Sequence, residues 1–213
     1  MTKKKLIAIV TAAVLVVCCA VAGTLAWLTD KTPSVTNTFT TSDINITLTE
    51  TAGTTSSTTS TGGHEFKMVP GYTITKDPIV TVKAGSEACW LFVKVTESTS
   101  LSQYIDYTVA SDWTKGDGTN IPSNVYYRQV ASPTTDQSFN VIGYMDGESF
   151  VPNTVLVKES VTKAMMDALE DSNAVQPTLT FKAYAVQLYK SNVGSTEAEK
   201  IFTPAEAWAK VNP

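Results

Sequence analysis

The 213-residue sequence predicts an all-β fold, two antiparallel sheets packed as a sandwich. Three observations carry that expectation. Apolar residues recur at every second position in many short segments, the period of a half-buried strand. Turn residues separate the segments, as at Pro70-Gly71, Asp77-Pro78 and Ala84-Gly85. Charged residues make up only 17 % of the chain, while Thr, Ser and Val abound, which suits a β-rich extracellular domain better than a cytosolic helical enzyme. The length is that of one domain with one core.

The N-terminus differs from everything after it. Met1 to Lys5 supplies a positive start, and Leu6 to Leu28 carries no charge. That run is long enough to cross a bilayer, which takes roughly 20 residues, and somewhat longer than a signal-peptide core of roughly 7 to 15. Its small-residue tail favours export with cleavage after Ala26, which puts Thr24 and Ala26 in the peptidase pocket and makes Trp27 the new first residue. The alternative is an uncleaved membrane helix. The order of residues expected of a lipoprotein signal or a type IV pilin leader is missing. Residues 1–26 are thus a signal peptide or anchor, and 27–213 a single sandwich domain.

Along the body, Val35 and Phe39 occupy odd positions and Ile44, Ile46 and Leu48 even ones, so the phase slips at "TTSD" and a bulge or break is expected. Residues 51–63, nearly all Thr, Ser and Gly, read as a flexible loop. In the segment from 89 to 96, Cys89, Leu91, Val93 and Val95 share one face and Trp90, Phe92 and Lys94 the other, a pattern for the middle of a sheet. Further strands are expected at Tyr104–Val109, Val125–Val130, Phe139–Gly143, Thr154–Lys158 and Thr178–Tyr189. One or two short peripheral helices break the pattern. In "SVTKAMMDALED", Ser160 is the cap candidate, with Val161, Met165, Ala168 and Leu169 at helical spacing. In "TPAEAWAKV", Thr203, Pro204 and Glu206 form a capping box, and Trp208 is the apolar anchor.

Charge and chemistry exclude several classes. The formal charge is −4, becoming about −7 without residues 1–26. Lysine and arginine do not cluster after Lys5, so no nucleic-acid face is visible. Cys18 and Cys19 lie in the apolar run, leaving Cys89 alone in the body. It reads as a small buried hydrophobe, with an intermolecular or reactive role as the alternative. His64 is the one histidine and lacks the partner four residues on that a helical zinc protease needs. Asp112, Asp117 and Asn120 could crowd a calcium ion, but their spacing is not that of an EF-hand, and a polar turn is the plainer reading. No nucleophile elbow, phosphate loop or paired Cys-x-x-Cys occurs. Neither a cofactor nor a metal is implied. What remains is backbone chemistry: a sheet edge can accept a strand from another chain. A cleaved start, "WLTDKTPSVTNTF", would be extended and β-prone, with Pro33 suited to an edge.

The stretch "KKKLIAIV…AGTLAWLTD…VTNTFTTSDINITLTE" resembles the export signal and first strand of the TasA/camelysin family, Gram-positive proteins processed by the signal peptidase SipW. The likeness rests on Ala26, Trp27, Asp30, Asn37-Thr38-Phe39 and Asp43 to Leu48. It continues through "VPGYTITKDPIVTVKAGSEACWLFVKV", "VYYRQV", "DQSFNVI", "TKAMMDALED" and "PTLTFKAYAVQ". The resemblance implies a jelly-roll-like sandwich, secreted to the cell surface or biofilm matrix. It also implies a fibre subunit whose processed N-terminus completes the sheet of the next copy. The donor is then Trp27 to about Phe39, with Leu28 and Val35 among its apolar residues. The partners are further copies, other matrix components and a SipW-type peptidase. Two alternatives stay open: a monomeric surface adhesin or binding module held by an uncleaved helix, and a camelysin-like metalloprotease, which the lone histidine does not support.

Overall fold

A computed structural model describes residues 2–4, 11, 43–51, 56–58, 64–190 and 200–211. The chain divides into two units, Met1–Thr41 and Ser42–Pro213. Of the first, residues 2–4 and 11 are described, all exposed. Thr24, Ala26, Trp27, Leu28, Val35 and Phe39 lie outside the described residues, as does the apolar run from Leu6 to Leu28 apart from Thr11. Among the described residues no helix is long and apolar enough to cross a membrane.

The second unit is the expected all-β, sandwich-like fold. In chain order the first strands are β1 (Ile46–Thr49), β2 (Ser56–Thr58), β3 (His64–Phe66), β4 (Thr73–Thr75), β5 (Ile79–Val82) and β6 (Cys89–Glu97). Helix α1 (Leu101–Tyr104) leads to β7 (Ile105–Asp106), β8 (Thr108–Val109), β9 (Thr114–Lys115) and β10 (Val125–Val130). Next come β11 (Gln137–Asn140), β12 (Ile142–Asp146), β13 (Ser149–Pro152) and β14 (Thr154–Val157). Helix α2 (Lys163–Ala168), the long β15 (Leu179–Gln187) and helix α3 (Pro204–Val211) end the described chain. All the strand pairings in the described residues are antiparallel.

One layer is the four-stranded sheet β15-β6-β10-β9, with β6 in its interior as the sequence predicts. Cys89, Leu91, Val93 and Val95 face inward and are almost wholly buried. They pack on Val80 and Val82 of β5, Ile142 of β12, and Val155 and Val157 of β14. These belong to the smaller sheets β1-β5-β11, β13-β12-β8 and β4-β14-β7. Period-two alternation places the two apolar sets against each other, and burying each such side chain stabilises by roughly 1.5–3 kcal/mol.

The outer face of the four-stranded sheet is apolar too, because Trp90, Phe92, Tyr184 and Val186 need a cover of their own. Helix α3 supplies it. Trp208 packs 5.4 Å from the Phe92 ring and edge-on at 5.5 Å to Tyr184. The capping box forms as predicted: the Glu206 amide donates to Thr203 Oγ1 at 3.2 Å, and the Thr203 amide to Glu206 Oε2 at 2.8 Å. The indole of Trp90 donates to the Phe202 carbonyl at 2.7 Å, tying the approach to the helix onto the same face.

Several expectations need correction. Helix α2 is capped by Thr162, whose hydroxyl accepts from the Met165 amide, and not by Ser160. Both are plausible cap residues, but Lys158, two residues before Ser160, still pairs through its amide with the Tyr104 carbonyl, so the chain is extended there. Val161 is buried, Met165, Met166 and Leu169 are half-buried, and Ala168 is exposed. Residues 56–58, expected in a flexible loop, form a strand paired with β3. Tyr104 closes a short helix rather than opening a strand. The strand expected at Phe139–Gly143 is two, broken at Val141, whose amide donates to the Pro78 carbonyl. The short strands β9 and β13 carry little apolar alternation, and their pairing comes from neighbours.

Candidate functional site

Strands β1 and β15 are both edge strands in the described residues. They belong to different layers, and between them the sandwich opens into a groove of about 1280 Å³. Its apolar walls are Leu48, Phe66, Met68, Leu179 and Phe181, with Ile74 and Ile105 deeper.

The free edges can be read from hydrogen-bond parity. The Lys83 amide donates to the Asn45 carbonyl and the register pairs Ile46 with Val82, so odd residues of β1 bond to β5. Ile46 and Leu48 therefore turn their N–H and C=O groups to the unpaired side. On β15, the Ser98 amide bonds the Thr178 carbonyl and the Leu188 amide the Ala88 carbonyl, so even residues bond to β6. Leu179, Phe181 and Ala183 turn their backbone outward. Those residues also put their side chains toward the core, so each edge offers backbone groups beside apolar cover.

One charged pair spans the groove wall. Lys76 Nζ lies 2.6 Å from Glu50 Oε1 and 2.7 Å from Oε2, with side chains 12 % and 20 % exposed. The ammonium also stands 5.7 Å from the Phe66 ring and 5.5 Å from that of Phe181. Beyond it, the Thr51 amide donates to Asp77 Oδ1 at 2.9 Å and ties the end of β1 to the turn before β5.

His64 lines the same groove, half-buried, edge-on to Phe66 at 6.2 Å, its Nδ1 buried and without a hydrogen-bond partner in the described residues. No group of three metal-ligating side chains occurs among the described residues. Asp117 and Asn120 meet each other but not Asp112. Asp112 pairs with Arg128. Asp117 Oδ1 accepts from the amides of Thr119, Asn120 and Ile121 at 2.8–2.9 Å, and Asn120 Nδ2 donates to Oδ2. Those donors hold the Asp117 carboxyl well below the usual carboxylate range, chiefly through the Ile121 amide. The segment is a self-satisfied polar turn. Cys89 sits fully buried on β6, where burial pushes its thiol up to about 11.

Sequence reasoning finds Leu48, Leu179 and Phe181 as strand residues but not their convergence, because the groove lies between strands more than 120 residues apart in the chain. Phe66 and Lys76 stand in segments too short for a periodic signal. The fold and this site define a class, an all-β sandwich domain in which, among the described residues, two unpaired strand edges flank an apolar groove. Comparison of the chain with protein-family models, curated proteins and solved structures finds no match.

Proposed function

We propose that the protein is a secreted structural subunit of the cell surface or biofilm matrix, assembling into fibres by donating its N-terminal segment to another copy. The observation that carries the reading is the free edge of β1, which begins seven residues after the segment Trp27–Phe39 and is unpaired on its outer side in the described residues. A strand edge bordered by apolar side chains takes up an added strand through its main-chain groups and takes specificity from alternate side chains. The resemblance to the TasA/camelysin family supports the same reading, and so do the small residues before Trp27, a substrate for a SipW-type peptidase.

Edman sequencing of the exported protein tests the first step, with Trp27 as the expected first residue. A start at Met1 or Thr2 favours a membrane-held adhesin or binding module. Fibre growth of the exported protein, followed by light scattering and electron microscopy, tests the second. Removing residues 27–39 is expected to abolish growth and leave the far-ultraviolet β signal intact.

A further inference from the structure

The outer face of the four-stranded sheet changes character along its length. Strand alternation puts the even-numbered residues of β6 and β15 on this face. Trp208 of α3 covers Phe92 and Tyr184. One step further along both strands the register sets Lys94 directly opposite Lys182, and the next step sets Thr96 opposite Thr180. Val125 of β10 flanks Lys94 on its other side. Lys94 is half-buried, while Lys182, Thr96 and Thr180 are exposed.

Two ammonium groups in this position work against the sheet. Like charges directly opposite on neighbouring strands, with Cβ atoms roughly 5 Å apart, destabilise the pairing. Lysine is also a poor strand former, and β6 is an interior strand. Among the described residues neither lysine has a carboxylate partner. The Lys182 ammonium instead stands 5.2 Å from the Tyr184 ring. Acids on the adjoining elements are engaged elsewhere. Glu97 accepts the Tyr107 hydroxyl, Asp117 closes its own turn, and Glu206 is held by Thr203 and Lys190. A chain of formal charge −4 thus keeps an unneutralised cation pair at the middle of a sheet.

We infer that Lys94, Lys182, Thr96 and Thr180 form a binding site for the phosphate groups of an anionic polymer. This surface is separate from the groove, and the inference does not depend on strand donation. An anion placed between the two ammonium groups turns their repulsion into a shared attraction. Each ammonium offers three donors and each hydroxyl one, which suits a tetrahedral phosphate. A planar carboxylate is matched better by a guanidinium fork. A polymer is favoured over a free ion because exposed ionic contacts are individually weak in water. Repeated phosphates supply the next group as one leaves.

Fluorescence anisotropy of labelled long-chain inorganic polyphosphate, titrated with the full-length exported protein, tests this. Lys94→Gln and Lys182→Gln are each expected to weaken binding about fivefold. The double variant should also lower the slope of log Kd against log salt by about 1.4, from two lost phosphate contacts at roughly 0.7 each. Lys163→Gln on α2, which removes an exposed cation elsewhere, should change nothing. The urea midpoint of the double variant should stay level or rise, because a like-charge pair has been relieved. Polyphosphate that does not bind, or binds the double variant equally well, overturns the inference. Equal binding of polyglutamate at the same charge concentration overturns the choice of phosphate, and orthophosphate binding as tightly as the chain overturns the polymer. A lowered urea midpoint in both single variants assigns the lysines to the fold and overturns it too.

Discussion

The two seams of the sandwich use the same device and end differently. On the β11 side, Arg128 of β10 stacks 3.9 Å from the Phe139 ring and 5.5 Å from Trp113 and pairs with Asp112. On the β1 side, Lys76 stands between Phe66 and Phe181 and pairs with Glu50. Each seam thus has a cation, two aromatic rings and a carboxylate. The first is sealed, because the Arg128 guanidinium stands close over the Phe139 ring and Trp113, buried, also donates its indole N–H to the Asn140 carbonyl at 2.8 Å. The second stays open, because an ammonium on a thin stem fills little volume and its rings stand more than 5 Å from it. Among the described residues, one seam is a finished core boundary and the other an unfinished one.

The largest effect expected from that contrast is at the sealed seam. Arg128→Ala removes the side chain packed on Phe139 and Trp113, while Asp112, half exposed, is left to solvent, and should lower stability by about 2–3 kcal/mol in urea unfolding, mostly through lost packing and cation–ring contact. Lys76→Met keeps most of the side-chain volume and the contact with both rings but leaves Glu50, 20 % exposed, without its cation, so about 1.5 kcal/mol is expected. If the two losses prove equal, the open seam is as much a structural boundary as the sealed one, and the contrast fails. A cap variant calibrates both. Thr203→Ala breaks the capping box on the outer face, touches neither seam, and should cost about 1 kcal/mol. It should leave amide exchange at both seams unchanged at temperatures well below unfolding.

What the sequence makes legible follows from how local each signal is. The central strand is plain because Cys89 to Val93 are apolar on both faces and Val95 continues the buried set at every second position. The last helix is plain because Thr203, Pro204 and Glu206 act within one turn. The cap of α2 is misread because Ser160 and Thr162 are chemically equivalent there, and the choice is made by the bond from Lys158 to the Tyr104 carbonyl, 54 residues back in the chain. The break at Val141 is set in the same way, by the Pro78 carbonyl. The groove is the extreme case. Its walls come from β1, β3 and β15, and nothing local marks Lys76 as the cation between Phe66 and Phe181. Sequence pattern gives the faces of strands, while the meeting of two edges depends on topology.

Acid titration gives the smallest effect and the sharpest separation of the two sides. Asp136, at the approach to β11, accepts the Ala84 amide and the Lys83 ammonium, each at 2.9 Å, and these hold its carboxyl below the ordinary value, the amide contributing most. Glu206 is lowered in the same direction, first by the Thr203 amide. A carboxyl whose folded value is depressed stabilises the fold above its unfolded value, about 4, and that contribution is lost as pH falls through the lower folded value. Stability should therefore be flat from neutral pH down to about 4 and decline below it. Asp136→Asn should remove part of that decline, since the amide side chain cannot titrate, while costing something at neutral pH where the carboxylate is missed. Because Asp136 ties the 83–84 turn to the sealed side, the part removed should be visible in amide exchange at Ala84 before any change at Leu48 or Phe181. Simultaneous loosening at both places would mean that the seams share one cooperative unit, and that the open groove is held by the same contacts that close its counterpart.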